Sequence, residues 1–372
     1  MIAVVLATSA AALLAAPAAG VLGHRAMKRS RNASAMTIDS RNGIDESGFV
    51  RIGGIDQWIS VRGEDLANPV VLELHGGPGA STAIFGPRTR SWEKHFTIVR
   101  WDMRGTFKTL GRGGADGQGE MTFERIYADA VEVTDHIRTR LGVDKVVLLG
   151  HSYGSVFGLR LAREFPERYC AYVGTDQNIH DSGRDDSVHR AFLTRLRATG
   201  KHKELAAVQA LDADRHRWSA RERAMYAKLA ATSDPLTLDT MKKVVMGSLW
   251  LSPLHSLREL TYFLKGMSFS EQVAAGPSGF DDWADGTGFA IPFFVFQGEK
   301  DVLTSPALAR RFFDDVQAPV KGFALIDDCS HFAAFRRPER FLELLLAHVR
   351  PAVVAPEPAA AAPVRPGSGS AG

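Results

Sequence analysis

The segment Gly150-His151-Ser152-Tyr153-Gly154 constrains the fold of this chain more than any other. It has the pattern G-x-S-x-G and lies between an apolar run typical of a buried strand, residues 146–149, and a helical pattern that begins at Tyr153. A turn this sharp from strand to helix leaves no room for side chains two positions either side of the serine, so glycine is needed at both. The turn lifts the Ser152 hydroxyl clear of the sheet at a helix N-terminus, where negative charge is favoured. The pattern predicts that Ser152 is a nucleophile.

Apolar runs typical of buried strands recur along the chain and alternate with helical patterns. The strand-like runs are residues 70–74, 97–101, 146–149, 171–173, 293–297 and 323–326, with a hairpin pattern at 49–61. Strands that alternate with helices predict an α/β fold whose central sheet is mostly parallel and covered by helices on both faces. Within residues 177–290 the strand pattern stops, and helical spacing predicts a cap inserted over the sheet. We therefore expect a core of residues 45–176 and 291–350 that is interrupted by this helical cap.

The composition narrows the class of protein further. Of the 372 residues, 45% are hydrophobic and 23% are charged, which supplies enough apolar material for a large core. The net charge of +3 gives no reason to expect a nucleic-acid partner. Cys170 and Cys329 are too few for a disulfide framework. The acidic and histidine residues between His180 and His189 match no metal-ligand motif, so no metal is predicted.

Acyl transfer requires backbone N–H groups placed where negative charge forms on the carbonyl oxygen of the substrate. One is expected from Tyr153, directly after the nucleophile. The second is expected from the loop His75-Gly76-Gly77-Pro78-Gly79, which follows the strand-like run at 70–74. Its glycines allow the backbone to approach the substrate without an intervening side chain. Gly77 is the first choice for this donor, and Gly76 is the alternative.

A serine nucleophile needs a base to accept its proton and a carboxylate to orient that base. In this architecture the chain order is serine, acid, histidine. Asp301 follows the strand-like run at 293–297, and His331 follows the run at 323–326, so they are the predicted acid and base. The same two loops contain three alternatives for the acid: Glu299, Asp327 and Asp328.

Both ends of the chain differ from the middle. Residues 2–23 carry no charged side chain, and as a helix they would span about 33 Å, close to the thickness of the hydrocarbon core of a bilayer. A basic cluster follows them: Arg25, Lys28, Arg29 and Arg31. Residues 1–36 are therefore predicted to be a membrane anchor with a basic linker, which would keep the catalytic domain in the cytoplasm. The alternative is a signal peptide that is cleaved on export. Residues 351–372, rich in alanine and proline, are expected to be disordered.

Together these motifs resemble the α/β-hydrolase superfamily and, more narrowly, serine hydrolases of the prolyl aminopeptidase (proline iminopeptidase) type. The matching pieces are His75-Gly76-Gly77-Pro78-Gly79, Trp101-Asp102-Met103-Arg104-Gly105, Gly150-His151-Ser152-Tyr153-Gly154, Gly298-Glu299-Lys300-Asp301 and His331. The resemblance covers the chain from about residue 49 to residue 350. It implies the α/β-hydrolase fold with a helical cap, a Ser-Asp-His triad that works through an acyl-enzyme, and no cofactor. It also implies release of an N-terminal residue, often proline, from short peptides.

Two features of the chain bear on the substrate. Phe107 stands where the family usually has glycine, two residues beyond the Asp-x-Arg-Gly element. Peptide-cleaving members bind the free amino group of the substrate through acidic cap residues. The segment Trp218-Ser219-Ala220-Arg221-Glu222 resembles such a site, although Arg221 replaces a second tryptophan. Glu222 is therefore the candidate amine-binding residue, and a solvated helix charge is the competing interpretation. A carboxylesterase that acts on a small acyl ester and a non-catalytic binding module are the alternatives to an aminopeptidase.

Overall fold

A single mixed sheet forms the centre of the protein. The computed structural model describes residues 2–181, 187–212, 217–270, 273 and 281–354. The strands are β1 (Ile44–Ile52), β2 (Ile55–Gly63), β3 (Val70–Leu74), β4 (Thr97–Asp102), β5 (Val146–His151), β6 (Tyr169–Thr175), β7 (Phe293–Gly298) and β8 (Lys321–Ile326). Their order across the sheet is β1-β2-β4-β3-β5-β6-β7-β8. Strand β2 pairs antiparallel with β1 and β4, and all other neighbours are parallel. The predicted α/β fold with a mostly parallel sheet is confirmed.

Helices cover the sheet and form the cap. In chain order they are α1 (Ile2–Ala35), α2 (Phe107–Gly113), α3 (Phe123–Leu141), α4 (Tyr153–Glu164), α5 (Ser187–Ala198), α6 (His202–Gln209), α7 (Ala220–Ser233), α8 (Pro235–Thr240), α9 (Gly247–Leu251), α10 (Leu257–Phe269), α11 (Pro306–Asp315), α12 (Ala333–Arg336), α13 (Pro338–Leu344) and α14 (Arg350–Val353). Helices α5 to α10 lie between β6 and β7 in the chain and make up the cap. A π-helical segment, Met241–Met246, joins α8 to α9.

The central strand β5 is buried on both faces, which explains its uninterrupted apolar run. Val146 and Leu148 pack with the apolar stripe of α3 on one face, whereas Val147 and Leu149 belong to the cluster on the opposite face. Helix α3 begins where the Thr122 side chain accepts a hydrogen bond from the Arg125 amide, and it ends before a left-handed glycine. Burial on both faces fixes the position of the carboxyl end of β5, where the nucleophile is expected.

The N-terminal helix α1 contacts the cap. Among the residues that the structure describes, no helix combines the length and the apolar character needed to cross a membrane. The membrane anchor predicted for residues 1–36 stays a prediction. The residues expected to form a basic linker belong to α1 itself.

Polar side chains near the end of α1 bond to the carboxyl end of α9. The donors are Arg25, Arg29 and Asn32, and the distance from donor to acceptor is 3.0 Å for both Arg25 Nε and Asn32 Nδ2. The accepting backbone carbonyls belong to Trp250, Leu251, Ser252 and Pro253. The last carbonyls of a helix have no intrahelical donor and favour cations. Two arginines of the basic cluster thus stabilise an intramolecular contact.

The C-terminal end of the described chain is helical further than expected. Helix α14 includes Pro351 to Val353, which we predicted to be disordered. It follows directly on a π-helical segment, Leu345–Val349, and Pro351 is at the start of the helix, where proline is well tolerated. The remainder of the predicted disordered tail, residues 355–372, lies outside the described residues.

Candidate active site

The turn after β5 has the backbone that the G-x-S-x-G pattern predicts. Ser152 adopts φ 51° and ψ −120°, which is a strained conformation for a residue with a side chain. A Cβ at Gly150 would lie 2.7 Å from the Ser155 Cα, and a Cβ at Gly154 would lie 2.0 Å from the Leu74 carbonyl oxygen. Both positions therefore admit only glycine. The strain and the two close approaches hold Ser152 at the tip of the turn.

The structure brings the three predicted triad residues together in one hydrogen-bonded chain. Ser152 Oγ lies 3.0 Å from His331 Nε2, and His331 Nδ1 lies 2.9 Å from Asp301 Oδ2. Asp301 and His331 are 6% and 4% exposed, whereas Ser152 remains open to solvent on part of its surface. This arrangement allows the imidazole to accept the hydroxyl proton while the carboxylate fixes its tautomer.

Asp301 is also fixed by its own loop. Its Oδ1 accepts hydrogen bonds from the amides of Leu303 and Thr304, and its Oδ2 accepts one from the Thr304 hydroxyl. The three alternatives for the acid are all exposed, namely Glu299, Asp327 and Asp328. Asp328 pairs with Lys300 over 2.8 Å instead. The carboxylate that reaches the histidine is therefore that of Asp301.

His331 is a stronger base than an ordinary histidine. Burial lowers the pKa of His331, but the charges of Asp301 and Asp176 and the hydrogen bond that His331 Nδ1 donates to Asp301 raise it, to about 9. The protonated imidazolium is therefore stabilised, which favours the state that forms when serine gives up its proton.

The loop after β3 lies directly against the nucleophile. A Cβ at Gly76 would lie 2.8 Å from the Ser152 Cβ, so only a glycine backbone can approach this closely. Gly77 adopts φ +116°, which also requires glycine. Tyr153, the first residue of α4, has an amide without an intrahelical acceptor. Gly76 and Tyr153 therefore adjoin Ser152, and Gly77 follows Gly76 in the same loop. Their role as oxyanion donors stays a prediction.

His75 holds this loop in place, a role that the sequence did not reveal. Its Nε2 accepts a hydrogen bond from the Met103 amide over 3.2 Å, and its Nδ1 lies 3.0 Å from the Gly76 carbonyl oxygen. Because Nε2 is an acceptor, Nδ1 carries the proton in a neutral ring. Burial lowers the pKa of His75 to about 4, which keeps the ring neutral.

The described residues include three contacts between the cap and the site. The Tyr153 hydroxyl donates to the Val273 carbonyl over 2.9 Å. A Cβ at Gly79 would lie 2.6 Å from the Gly266 carbonyl, so α10 packs directly on the loop after β3. The hydroxyl of Thr237 in α8 lies 2.7 Å from the hydroxyl of Ser330, the residue before His331. The cap therefore adjoins the oxyanion loop, the nucleophile turn and the histidine loop.

Phe107 packs against the cap. It adopts φ +36°, a backbone that glycine accepts more readily than a bulky residue. Its buried ring meets the rings of His255 and Phe263 edge-on, with centroids 5.4 and 5.8 Å away. Contacts between these three aromatic rings replace the open space that glycine would leave.

Glu222 is engaged in a helix cap. Its Oε2 accepts hydrogen bonds from both the amide and the hydroxyl of Ser219, each over 2.7 Å, in a capping box at the start of α7. The hydrogen bonds from Ser219 hold the pKa of Glu222 below its ordinary value. None of the contacts that the structure describes for Glu222 reaches the triad, which favours the solvated helix charge over amine binding.

Asp176 is a second buried carboxylate at the site, and sequence reasoning missed it. It follows β6 directly and is 0% exposed. Ligand-type atoms of Asp176, His151 and His331 all lie within 4.8 Å of one another. These three side chains are of types that bind metal ions, but both ring nitrogens of His331 already contact Ser152 and Asp301. The arrangement therefore suits proton transfer better than metal binding. The signal that could have found Asp176 is its place after the strand-like run at 171–173.

Comparison with known proteins places the chain in a family. A model described as "Alpha/beta hydrolase family" matches residues 70–344. The chain belongs to the α/β-hydrolase family. The probable aminopeptidase YbaC of Bacillus subtilis (strain 168) is 23% identical to this hydrolase over 319 residues, which are 80% of this chain and 94% of the relative.

Two solved structures share the fold of this α/β hydrolase. A proline iminopeptidase-related protein from Thermus thermophilus has a TM-score of 0.55 and 21% identity, and the match covers 83% of this chain and 99% of that one. A thermophilic esterase from Thermogutta terrifontis has a TM-score of 0.53 and 16% identity, with 83% and 100% covered. The resemblance to the superfamily and to proteins of the prolyl aminopeptidase type is confirmed, and the protein is an enzyme of the hydrolase class.

Proposed function

We propose that this enzyme is a serine hydrolase that works through an acyl-enzyme. Ser152 attacks the substrate carbonyl, His331 takes the hydroxyl proton and later returns it to the leaving group, and Asp301 holds the imidazole. The amide of Tyr153, with that of Gly77 or its neighbour Gly76, stabilises the oxyanion. The observation that carries this proposal is the unbroken chain of 3.0 and 2.9 Å from Ser152 through His331 to Asp301.

Reaction with a fluorophosphonate probe tests the nucleophile, because such probes label only an activated serine. We expect one label per chain, which is located on Ser152 by peptide mass spectrometry and is absent from the Ser152→Ala variant. Labelling that persists in this variant would contradict the assignment. A wild-type protein that stays unlabelled would support the non-catalytic binding module instead.

For the substrate, we propose an aminopeptidase of the proline iminopeptidase type that releases an N-terminal residue from short peptides. The support is the name of the B. subtilis relative, which aligns over 94% of its own length. The neighbour from T. thermophilus, described as related to proline iminopeptidase, points the same way.

An aminopeptidase needs a cap carboxylate that faces the ammonium group of its substrate. Asp234 and Glu222 each cap a helix, α8 and α7 respectively, but of the two only Asp234 is linked to the site. Asp234 Oδ2 accepts a hydrogen bond from the Thr237 hydroxyl over 2.7 Å, and that hydroxyl lies 2.7 Å from Ser330 Oγ, beside His331. We therefore propose Asp234 as the amine-binding residue if the substrate is a peptide.

A carboxylesterase that acts on a small acyl ester is the second candidate. Capping favours it, because Glu222 and Asp234 are both engaged with the first turns of their own helices. A structural neighbour described as an esterase has the same fold. The triad serves both reactions, so the cap decides between them.

Kinetics on two substrates separate these candidates. For a proline-arylamide, we expect Asp234→Asn to raise KM about tenfold or more, since about 1.4 kcal/mol of binding energy is lost for each factor of ten. The KM for a short neutral acyl ester should not change, because asparagine still caps α8. Glu222→Gln is the matched control and should leave both values unchanged. Equal effects of Asp234→Asn on the two substrates would exclude Asp234, and ester turnover without arylamide turnover would favour the esterase.

We further propose that the N-terminal segment attaches the enzyme to a membrane, with the catalytic domain in the cytoplasm, because residues 2–23 lack charge. Fractionation of cells that express the full chain tests this proposal. Recovery in the membrane fraction with an intact N-terminus supports the anchor. Recovery in the soluble fraction with a new N-terminus near Gly20 would instead support a cleaved export signal.

A further inference from the structure

Asp176 is a carboxylate in a position that is energetically unfavourable for one. It lies directly after β6, adopts φ +48° and is fully buried. Strand β6 stands between β5, which carries the nucleophile, and β7, which leads to Asp301. A buried carboxylate and a left-handed backbone both cost free energy unless the surroundings compensate. The contacts of Asp176 show what compensates.

The contacts of this residue join the loops of the nucleophile and the base. Asp176 Oδ2 accepts a hydrogen bond from the amide of Phe332, the residue after His331, over 2.8 Å. The neighbouring Thr175 carbonyl accepts a hydrogen bond from the Ser152 amide over 3.1 Å. Thr175, the last residue of β6, therefore holds the backbone of the nucleophile, and the adjacent Asp176 holds the backbone directly after the base.

Charged and titratable groups surround this carboxylate on every packed side. A carboxylate oxygen of Asp176 lies within 4.8 Å of a ring nitrogen of His331, and its Oδ2 lies 2.8 Å from His151 Nε2. Asp301 faces His331 from the opposite loop. Beyond the effect of burial, the charge of His151 lowers the pKa of both His75 and Glu73, and the charge of Asp176 raises the pKa of Cys329. His331 is the group that both buried carboxylates face.

Asp176 remains charged in this setting. Burial raises the pKa of Asp176, but the charge of His331 and the contact with His151 outweigh burial and leave the pKa below its ordinary value. Two buried carboxylates without a cation between them would repel each other, and one would take up a proton. An imidazolium on His331 removes that repulsion.

We propose that Asp176 is a second carboxylate of the catalytic site, a positioning residue that fixes the His331 loop and stabilises the imidazolium. This inference rests on the proposed serine hydrolase mechanism. During attack, the proton leaves Ser152 Oγ for His331 Nε2, and the positive charge that forms on the ring is shared between Asp301 and Asp176. The same charge has a cost in the resting enzyme, because an already protonated histidine cannot act as a base. The reaction rate should therefore rise with pH until His331 has lost its proton.

The rate of labelling by a fluorophosphonate, measured across pH, reports the protonation of His331 without knowledge of the natural substrate. In that reaction the bond from Ser152 Oγ to phosphorus forms, the phosphorus–fluorine bond breaks, fluoride leaves, and the serine proton goes to His331. The second-order rate constant is measured across pH for the wild type, Asp176→Asn and Asp176→Glu. Asp328→Asn is the matched control. It removes an exposed carboxylate that lies in the His331 loop and pairs with Lys300.

We expect the midpoint of the acid limb in the wild type to lie well above about 6.5, the ordinary pKa of histidine. In Asp176→Asn this midpoint should fall by at least about one pH unit, because a charge close to the imidazolium is lost. The plateau at high pH should fall by much less than in Asp301→Asn, since the tautomer is still fixed. Asp176→Glu should restore the midpoint even if its plateau is lower, and Asp328→Asn should match the wild type.

An unchanged midpoint in Asp176→Asn, with a uniform loss of rate, would overturn the inference and leave Asp176 a structural residue only. If Asp176→Asn does not fold, the wild-type profile decides, and a midpoint at or below the ordinary histidine value would overturn the inference. Failure of the proposed hydrolase mechanism has a different signature, which is a wild type that does not react or a Ser152→Ala variant that does.

Discussion

The carboxyl edge of the sheet and the cap differ in what fixes their geometry. At the sheet edge each site residue follows a strand, and the local backbone permits few residue types, as the Cβ that would lie 2.0 Å from the Leu74 carbonyl at Gly154 illustrates. The cap is held by contacts between segments far apart in the chain, such as Arg29 with Ser252 and Phe107 with Phe263. Short sequence motifs therefore predict the geometry of the sheet edge, whereas they do not predict the packing of the cap.

The strongest test of the sheet edge removes its nucleophile. Ser152→Ala should lower kcat/KM by about four or more orders of magnitude, because the residual rate comes only from binding and the oxyanion donors. The melting temperature should stay close to that of the wild type. His331→Ala should lose a similar factor, and the double variant should lose little more, since the two residues act as a unit. Additive losses would show that the two side chains do not share one proton transfer.

The next test compares two carboxylates in one loop. Asp301→Asn should cut turnover by orders of magnitude while the protein stays folded, because the amide holds the imidazole in the wrong tautomer. Glu299→Gln is the control and should have little effect, because this side chain is exposed. Steady-state kinetics with circular dichroism measure both. The reverse pattern would transfer the role of the acid to Glu299.

A pair of helical glycines compares the two regions directly. Gly154→Ala should destabilise the protein by about 1–3 kcal/mol or more, because the new methyl overlaps the end of β3. Gly247→Ala at the start of α9 should be neutral or stabilising by up to about 1 kcal/mol, since its nearest neighbour would be the Lys242 carbonyl at 3.9 Å. Denaturant unfolding measures both free energies. Equal losses would show that the cap is as tightly constrained as the sheet edge.

The smallest expected effect concerns the contact between α1 and the cap. Arg29→Ala should cost about 1–2 kcal/mol, because it removes charge-assisted hydrogen bonds to the end of α9. Arg31→Ala is the control, an exposed arginine of the same helix for which the structure describes no contact. Hydrogen exchange at residues 247–254 should rise in the first variant only. Identical behaviour of the two variants would mean that the contact contributes nothing to cap stability.

The sequence predicted the sheet edge well because its demands are local. Short stretches of sequence are enough to recognise the strand runs, the glycines around Ser152, and the order of Asp301 and His331. Asp176 escaped because an aspartate after a strand has no motif, and its role depends on a histidine 155 positions later in the chain. Glu222 shows the reverse difficulty, since the residue that a cap motif singled out has a capping role at a helix N-terminus. Its role in amine binding stays a prediction.

The contact between α1 and α9 links the N-terminal helix to the cap. Helix α1 has 34 residues, about 51 Å at 1.5 Å per residue. Directly after this helix, the carbonyl of the buried Met36 accepts a hydrogen bond from Arg62 of β2. Within the helix, Arg25 and Arg29 donate to the end of α9. A displacement of this helix would therefore alter contacts with both α9 and β2. The same helix thus connects the sheet to the cap, the part of the enzyme that adjoins the oxyanion loop.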